Sequence, residues 1–428
     1  MPALMGRFCY VGLLTSLLIT GCVQDLPKVA IDPSPEPSPV GSPIDLPAAA
    51  DPAADLPIDQ LMQQSWQAYR SRFIQSDGRI IDREANDRST SEGQAYALLR
   101  SVWIDDRETF DRVLQWSEIN LRRRNLSGQP VDQLWAWKWG RLPDGSWGTI
   151  DGNFASDGDI DAITALIFAA QRWNHPPYLD LARRKLKDLW KFSTITDSPP
   201  AQTSTTPNAA SPQRYLLPGP QAAFQPQPDQ VYLNPSYFAP YAFRIFSRVD
   251  PDRDWLSLIE SSYRVLAAAP QLSATGLPND WLKLNLRTGA LEPANADNLQ
   301  SRYSFDAYRV WWRVALDAVW FQEPRATRYL QQQLQPLRQK WQTQRRIPAK
   351  IDLQGNPIGN YESTAQYAML YPAFQITDPA IAAELYDQKL MAVYRDGFWD
   401  NDSAYYVQNL SWLGLFPVYQ LPDRWFRG

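Results

Sequence analysis

Two kinds of helical pattern alternate along the chain from residue 59 onward. The segment 179–190 has one apolar stripe and a heavily charged back, as expected of a helix with one side in solvent. The segment 159–170 carries apolar side chains on every face, with Ile160, Ile163 and Ile167 on one of them. A helix that is apolar all round must be buried on all sides. The fold must therefore bury some helices completely and leave their neighbours at the surface.

Apolar periodicity predicts twelve helices, which form six alternating pairs. Their predicted starts lie near residues 59, 92, 106, 159, 177, 235, 252, 304, 323, 362, 378 and 403. The second pattern, at 95–103, has Arg100 as its one charge, whereas the third keeps Phe110 and Val113 among acids and arginines. This alternation predicts an all-α fold, an (α/α)6 toroid of six inner and six outer helices with short β-hairpins on the cleft rim.

In such a toroid the inner helices run parallel to one another, because one antiparallel outer helix separates each from the next. The starts of the even-numbered helices should therefore meet on one rim. The sequence has acidic side chains at three of these starts, Glu92, Asp157 and Asp306. Each acid alone is explained as a helix cap, and Ser91 with Gln94 fits a capping box. Three acids beside glycine or aromatic residues on one rim favour a shared catalytic cleft.

Histidine and cysteine are almost missing from the composition. The 428 residues include 1 His and 2 Cys, and Cys9 and Cys22 both lie in the first 22 residues. These counts exclude a multi-His zinc site, and they exclude a cysteine nucleophile or cysteine metal cage beyond residue 22. His175 follows the fourth helix and should lie on the rim opposite the acids. We expect neither a metal nor an organic cofactor.

The charge balance also limits the partners. A net charge of −4 lacks the basic excess that binding to a phosphate backbone requires, so we expect no nucleic-acid partner. Carboxylates and aromatic rings are the abundant functional groups, with 46 Asp plus Glu and 18 Trp. The expected partner is a polysaccharide, and the protein is expected to be a monomer.

Three segments resemble the signature segments of glycoside hydrolase family 8. They occur in order as Ser91-Glu92-Gly93-Gln94-Ala95-Tyr96, Ala155-Ser156-Asp157-Gly158-Asp159 and Phe305-Asp306-Ala307-Tyr308-Arg309. Residues 137–139 and 234–238 are weaker supports, and the likeness covers nearly all of 59–428. The resemblance implies an inverting endo-acting glycanase on an α/α toroid, similar to secreted cellulases and to the endoglucanases of bacterial cellulose-synthesis operons.

The resemblance also implies a role for each acid. Glu92 would be the general acid, Asp306 the general base, and Asp157 the carboxylate that holds the sugar at the cleaved subsite. An Asp base in this segment goes with the cellulase-like branch of the family, so chitosan and xylan rank below β-glucan. Two features depart from the family pattern. Ala162-Ile163 replaces the usual Ile or Met followed by Ala, and a proline-rich stretch at 198–230 leaves the length of the cleft open.

Inverting hydrolysis supports the same roles on physical grounds. It needs a protonated acid on the leaving oxygen and an ionised carboxylate that activates water on the opposite face, roughly 6.5–9.5 Å apart. A helix N-terminus favours the ionised form, which suits Asp306 and opposes Glu92. We expect an ionised Asp157 nearby to raise the pKa of Glu92 by repulsion. Arg309, one turn after Asp306, either keeps the base ionised and oriented or is a plain surface neighbour.

Aromatic residues are the candidates for sugar binding. Trp135, Trp137 and Trp139 alternate, so on a strand they would project from one face, where they either pack on a core or stack on sugar. We expect most of these three rings to pack on the core and at least one to contact sugar. Trp137 and Trp139 are the candidates for the sugar contact. The remaining substrate-binding candidates near the acidic rim are Tyr237, Tyr303, Arg309 and Tyr361, whereas Trp311 and Trp312 should be core residues.

The N-terminal segment is predicted to be an address and a tether. Residues 1–21 read as a signal peptide, with an apolar run at 11–19 that is too short to span a bilayer. Ile19-Thr20-Gly21-Cys22 resembles a bacterial lipobox, which predicts acylation of Cys22; the alternative is an ordinary secretory signal. Residues 22–58 are a proline-rich tether, 59–428 the catalytic toroid, and 198–230 a proline-rich surface insertion. The protein should be extracytoplasmic and lipid-anchored to a bacterial membrane, in the periplasm or at the cell surface.

These patterns together predict an inverting endo-β-1,4-glycanase that acts on cellulose or a related β-glucan. Two alternatives remain open from the residues alone. The first is a catalytically silent glycan-binding lipoprotein, which would bind polymer without cleaving it. The second is another toroid enzyme, such as a chitosanase, a xylanase, a polysaccharide lyase or an epimerase.

Overall fold

The protein is mainly helical in the part of the chain that the structure describes. The computed structural model describes residues 56–125, 127–197, 212–296 and 298–427. Its helices are α1 Ile58–Phe73, α2 Ser91–Trp103, α3 Arg107–Asn120, α4 Ser156–Arg172, α5 Pro176–Ser193, α6 Gln221–Phe224, α7 Pro240–Val249, α8 Trp255–Ala268, α9 Phe305–Phe321, α10 Pro324–Gln333, α11 Gln335–Gln344, α12 Thr364–Thr377, α13 Pro379–Leu385, α14 Tyr405–Leu415 and α15 Arg424–Arg427.

Six of these helices form a closed inner ring. Helices α2, α4, α7, α9, α12 and α14 each contact the next, and α14 returns to α2. Helices α3, α5, α8, α10, α13 and α1 pack outside them in the same order. The chain thus folds into the predicted (α/α)6 toroid. Among the twelve predicted starts the largest difference is at α7, which begins at Pro240 instead of residue 235. A helix running from 235 through Pro240 would lose a backbone hydrogen bond, because proline has no N–H.

Burial explains why the two helix types alternate. All residues of α4 from Ser156 to Ala169 are buried, including Asp161, whose carboxylate pairs with Arg313 of α9 at 2.8 Å. Arg313 also donates to the carbonyl of Ser236 at 2.7 Å. This buried ion pair joins α4 to α9 near the ends that carry Asp157 and Asp306. The outer helix α5 keeps Arg183, Arg184 and Lys187 out of the core.

Short antiparallel strands occupy the rim at the N-terminal ends of the inner helices. They are β1 Ser89–Thr90, β2 Arg122–Arg124, β3 Pro130–Arg141, β4 Trp147–Phe154, β5 Thr194–Thr196, β6 Arg214–Leu216, β7 Gln230–Leu233, β8 Leu282–Asn285, β9 Leu291–Pro293, β10 Asn295–Ala296, β11 Leu299–Gln300, β12 Tyr394–Arg395 and β13 Phe398–Trp399. The long hairpin β3–β4 pairs Ala136 with Phe154 and Lys138 with Asp151, with bulges that shift the register. Because β1 runs directly into α2 and β4 ends two residues before α4, the sheet borders two of the acidic helix starts.

The proline-rich stretch 198–230 differs from the predicted surface insertion in its described part. Residues 212–230 belong to the domain: β6 pairs with β5, and Leu216 and Leu217 are buried. Phe224 stacks on Trp281 with their rings 3° from parallel. These aromatic and aliphatic side chains, which proline and glutamine outnumber in the sequence, supply the core contacts.

Two features concern the membrane. The predicted signal peptide, the lipobox at Cys22 and the tether up to residue 55 lie outside the described residues. Within the described ranges, no helix has the length and apolar character needed to cross a bilayer.

Candidate active site

The starts of three inner helices meet at one cleft. Glu92 of α2, Asp157 of α4 and Asp306 of α9 all line it. His175 lies beyond the other end of α4, where it precedes α5. The rim predicted from the parity of the helices therefore exists, and the single histidine is on the opposite side.

Arg309 joins the three carboxylates. It lies one turn after Asp306 on α9, and one of its terminal nitrogens is 2.9 Å from an oxygen of Asp306. Its other terminal nitrogen contacts the carboxylate of Glu92 and is 3.5 Å from that of Asp157. The residue is 2% exposed, which excludes the surface-neighbour interpretation. Three acids from three helices can share this small volume because one buried guanidinium offsets part of their repulsion.

Glu92 does not cap the helix on which it lies. The cap of α2 is Thr90, whose hydroxyl accepts the amide of Gly93 at 3.1 Å. The predicted Ser91–Gln94 capping box is wrong, because Gln94 is buried and its side chain bonds to Ile80 and Ser117 instead. The Glu92 carboxylate accepts a hydrogen bond from Tyr96 at 2.8 Å in addition to the Arg309 contact. It is therefore oriented toward the cleft by groups that a cap would not need.

Asp306 is held by groups from two other segments. Its carboxylate accepts a hydrogen bond from the Asn234 side chain at 3.1 Å. Burial raises the pKa of Asp306 well above its usual range, and the nearby carboxylates of Asp280 and Asp157 raise it further. Asn234 and a hydrogen bond from Trp281 act in the opposite direction. The net effect favours the protonated form of Asp306, against the expectation that the helix start keeps this carboxyl ionised.

Asp280 anchors the start of α9 and was missed by the sequence analysis. Its carboxylate accepts the backbone amides of Ser304 at 3.2 Å and Ala307 at 2.9 Å, as well as the Ser304 hydroxyl. Burial raises the pKa of Asp280 to about 6, while these donors lower it. Asp280 is 25 residues before the first residue of α9, so no local motif could have revealed this role.

Asp157 is buried at the first turn of α4. Its side chain accepts the amide of Gly158 at 2.8 Å. Burial raises the pKa of Asp157 to about 7; Arg313 opposes this shift and Asp161 adds to it. Near neutral pH the carboxyl therefore carries only part of a negative charge. Its repulsion of Glu92 is correspondingly weaker than the sequence analysis expected.

The predicted aromatic candidates occupy different surroundings. Trp137 and Tyr237 line the cleft. Trp135 is fully buried and donates to Glu118 at 2.9 Å, whereas Trp139 packs edge-on against Trp116 of α3. The three alternating tryptophans therefore do not form a single row. The hairpin bulges shift the pairing around residues 136–139, which the sequence pattern does not reveal.

The other candidates lie away from this cleft. Tyr303 is buried, and its hydroxyl accepts hydrogen bonds from Trp311 and Gln366 at 3.1 and 3.2 Å, which leaves no surface for a sugar. Tyr361 is partly exposed in the loop before α12, with the Lys350 amine 6.0 Å from its ring. Trp311 and Trp312 are core residues, as predicted.

Three cleft aromatics were not foreseen. Phe154, Phe224 and Trp281 form part of the cleft wall. Phe154 ends β4, whereas Phe224 comes from the proline-rich stretch and Trp281 from an irregular segment before β8, so the last two have no apolar periodicity around them. No group of three or more His, Cys, Asp and Glu side chains able to hold a metal occurs within the described ranges.

Comparison with known proteins gives one consistent result. The model of glycosyl hydrolases family 8 matches residues 53–417. The chain is 31% identical over 357 residues to an endoglucanase from Xanthomonas axonopodis pv. citri, an alignment covering 78% of this chain and 85% of that protein. It is 29% identical over 253 residues to an endoglucanase from Escherichia coli K12, covering 59% of this chain and 62% of the relative.

The fold has counterparts among solved structures. The crystal structure of an endo-1,4-D-glucanase from Vibrio fischeri ES114 superposes on this chain with a TM-score of 0.63 and 25% sequence identity. The match covers 82% of this chain and 93% of the Vibrio protein. The chain therefore resembles these endoglucanases both in sequence and in backbone structure over most of the described toroid.

Proposed function

The chain belongs to glycoside hydrolase family 8, and from that membership we propose that it hydrolyses internal β-1,4 linkages of cellulose or a related β-glucan with inversion. The observation that carries the proposal is the group of three carboxylates from three inner helices around Arg309, at the floor of a cleft with aromatic walls. The endoglucanases to which the chain is similar support the choice of substrate.

In the proposed mechanism Glu92 and Asp306 exchange protons with the substrate and with water. Glu92 gives its proton to the glycosidic oxygen as the bond to the anomeric carbon breaks. A water molecule attacks that carbon from the opposite face and passes its proton to Asp306. Asp157 holds the sugar at the cleaved subsite. The glycan gains one water across the cleaved bond, and the two carboxyls exchange their protonation states before the next cycle.

The contact between Arg309 and Glu92 favours the ionised form of Glu92 before a sugar binds, which opposes its role as an acid. We infer that the sugar chain reverses this preference, because its entry displaces water and raises the cost of a charge on Glu92. Asp306 remains paired with the other terminal nitrogen of Arg309 and still accepts the hydrogen bond from Asn234. Both interactions stabilise the ionised carboxylate that a base needs.

Among the residues predicted from the sequence, Trp137 and Tyr237 are the proposed sugar contacts. Phe224 and Trp281, which also line the cleft, join them. Flat aromatic walls suit the apolar faces of pyranose rings, and their low side-chain entropy makes stacking efficient. Tyr361 and Trp139 stay predictions, since both lie outside the cleft lining.

Reducing-sugar release from carboxymethylcellulose tests the proposal. The wild type should release reducing ends, and Glu92→Gln should lower kcat by at least about 10² because it removes the general acid. Glu108→Gln is the matched control, since Glu108 is an exposed first-turn glutamate on the outer helix α3. NMR of the first product should show the α-anomer.

Three outcomes would contradict the proposal. Tight polymer binding without release by the wild type would identify a silent glycan-binding protein. An unsaturated sugar product would identify a lyase. Cleavage confined to chitosan or xylan would move the substrate to another branch of the family.

We further propose that Cys22 is acylated and anchors the protein outside the cytoplasm, on the support of the Ile19-Thr20-Gly21-Cys22 sequence alone. Wild-type protein should partition with membranes and incorporate labelled palmitate. Cys22→Ser should abolish both, and a soluble, unlabelled wild type would contradict the anchor. Size-exclusion chromatography of the released enzyme should give a monomer.

A further inference from the structure

Trp147 is an exception among the tryptophans of this protein. All 18 lie within the described residues, and the others are buried or partly buried. Trp147 is 45% exposed at the start of β4. Exposing a large rigid ring forfeits the free energy of burying it, and tryptophan is enriched where proteins contact their partners.

The ring is held in one orientation from behind. It stacks on Trp139 with centroids 5.3 Å apart and planes 19° from parallel. Trp139 in turn packs edge-on against Trp116 of α3 at 5.2 Å, which ties the stack to the toroid. An exposed side chain supported in this way loses little conformational entropy when a ligand binds.

Arg79 supports the same side of the ring. Its guanidinium lies 4.3 Å from the Trp147 centroid and 4.6 Å from the Trp139 centroid. With the ring separation of 5.3 Å these distances form a triangle of similar sides, so Arg79 contacts both rings of the stack. Arg79 is itself fixed by Ser89 at 2.9 Å and by the carbonyl of Asp87. Nearly half of the Trp147 surface stays exposed beside this support and is open to a ligand.

The strand connects this ring to the cleft. Asp151 and Asn153, later in β4, line the cleft beside Asp157. Four residues of extended strand separate Trp147 from Asp151, which corresponds to about 13 Å. A polymer that leaves the cleft along β4 would therefore reach Trp147 a few sugar units away from the cleaved bond.

We propose that Trp147 is a distal platform for the same β-glucan chain whose cleavage is proposed above, and that it stacks on one pyranose ring outside the cleft. The proposal rests on the proposed function for the identity of the chain. A platform at this distance strengthens the binding of long chains and is out of reach of short oligosaccharides. It therefore makes the enzyme favour polymer over its own short products.

The test compares chain lengths. In Trp147→Ala, KM for carboxymethylcellulose should rise about three- to tenfold, the range expected for the loss of one aromatic stack. Activity on cellotetraose should change far less, so the ratio of kcat/KM for polymer to kcat/KM for cellotetraose should fall. Trp147→Tyr keeps a flat ring and should restore most of the ratio.

Two further variants separate binding from stability. Trp147→Leu keeps apolar packing on Trp139 without a flat ring and should lower the ratio as the alanine variant does, even if alanine impairs folding. Tyr419→Ala is the control, because Tyr419 is 65% exposed in the turn after α14, at the end of the ring away from the acids. It should leave the ratio unchanged.

An unchanged ratio in both Trp147→Ala and Trp147→Leu, or an equal loss on both substrates, would overturn the platform. Affinity electrophoresis in gels containing β-glucan, with the Glu92→Gln protein as background, measures polymer binding without hydrolysis. Retardation that depends on Trp147 supports the platform even if the wild type proves inactive. Hydrolysis with retardation independent of Trp147 sinks the platform and leaves the proposed function intact.

Discussion

Single residues of the active site are controlled by partners far away in the sequence. Asp306 follows this rule most clearly, because Asp280 anchors the backbone on both sides of it and Asn234 donates to its carboxylate. Arg309, on the next turn of the same helix, neutralises part of its charge. Each partner either raises or lowers the pKa of the Asp306 carboxyl. Substitutions at these partners should therefore be visible in the pH dependence of the reaction.

Asp280→Asn should move the acid limb of the kcat/KM profile to lower pH. The charge of Asp280 raises the pKa of Asp306, and the base must be ionised to act, so a neutral neighbour lets it ionise at lower pH. Asparagine keeps an oxygen for the amide of Ala307. Asp254→Asn, in the cap of the outer helix α8, is the control and should leave the limb in place. An acid limb that stays or moves upward in Asp280→Asn would contradict this assignment.

Asp157→Asn tests the proposed coupling to the general acid. Removal of the partial charge of Asp157 removes repulsion from Glu92, so Glu92 should lose its proton at lower pH and the basic limb of the profile should move down. Since burial raises the pKa of Asp157 to about 7, the effect should be largest above that pH. A basic limb that does not move would count against the coupling.

At the scale of elements, the ion pair between Asp161 and Arg313 joins the two helices that carry the sugar-holding acid and the base. Asp161 lies one turn after Asp157 on α4, and Arg313 lies two turns after Asp306 on α9. Both side chains are completely buried. A pair in this position sets the separation of the two helices behind the active site.

Removing one member should be costly. Asp161→Asn should lower the free energy of unfolding by about 3–5 kcal/mol, because the charge of Arg313 stays buried without its partner. Asp161→Leu combined with Arg313→Met should lose less than either charge-removing single variant. Asp105→Asn, in an exposed pair with Arg172, should cost less than about 1 kcal/mol. Chemical denaturation measures all of these values, and equal losses at Asp161 and Asp105 would contradict the prediction.

At the scale of the whole molecule, closure of the inner ring determines where stability is concentrated. Each inner helix packs on two inner neighbours and one outer helix, whereas the outer helices have one side in solvent. Local opening of an outer helix exposes less apolar surface than opening of an inner one.

Hydrogen exchange followed by mass spectrometry should reveal this difference. Amides of residues 95–103 and 160–169 should exchange slowest, with protection close to the global free energy of unfolding. Amides of α10, at 324–333, should exchange faster because that helix is half exposed. Equal protection in inner and outer helices would show that the toroid opens only as a unit.

Much of the fold could be predicted from the sequence because helix type is a local property. The all-apolar pattern of α4 and the charged back of α5 are visible in their own residues, and eleven of the twelve predicted starts lie within three residues of the observed helices. Parity then predicted that Glu92, Asp157 and Asp306 would share a rim. Predicting that these three acids meet required only the order of the helices along the chain.

The remaining features depend on contacts between distant segments and become visible only in the folded protein. The capping of α9 by Asp280, the cleft walls of Phe224 and Trp281, and the separate surroundings of Trp135, Trp137 and Trp139 have no local periodicity. The order and burial of the twelve ring helices follow from the period of the apolar residues and can be read from the sequence, whereas α6, α11 and α15 were not predicted. The tertiary structure decided which charges meet and which rings face the cleft, because bulged strands and loops carry no such period.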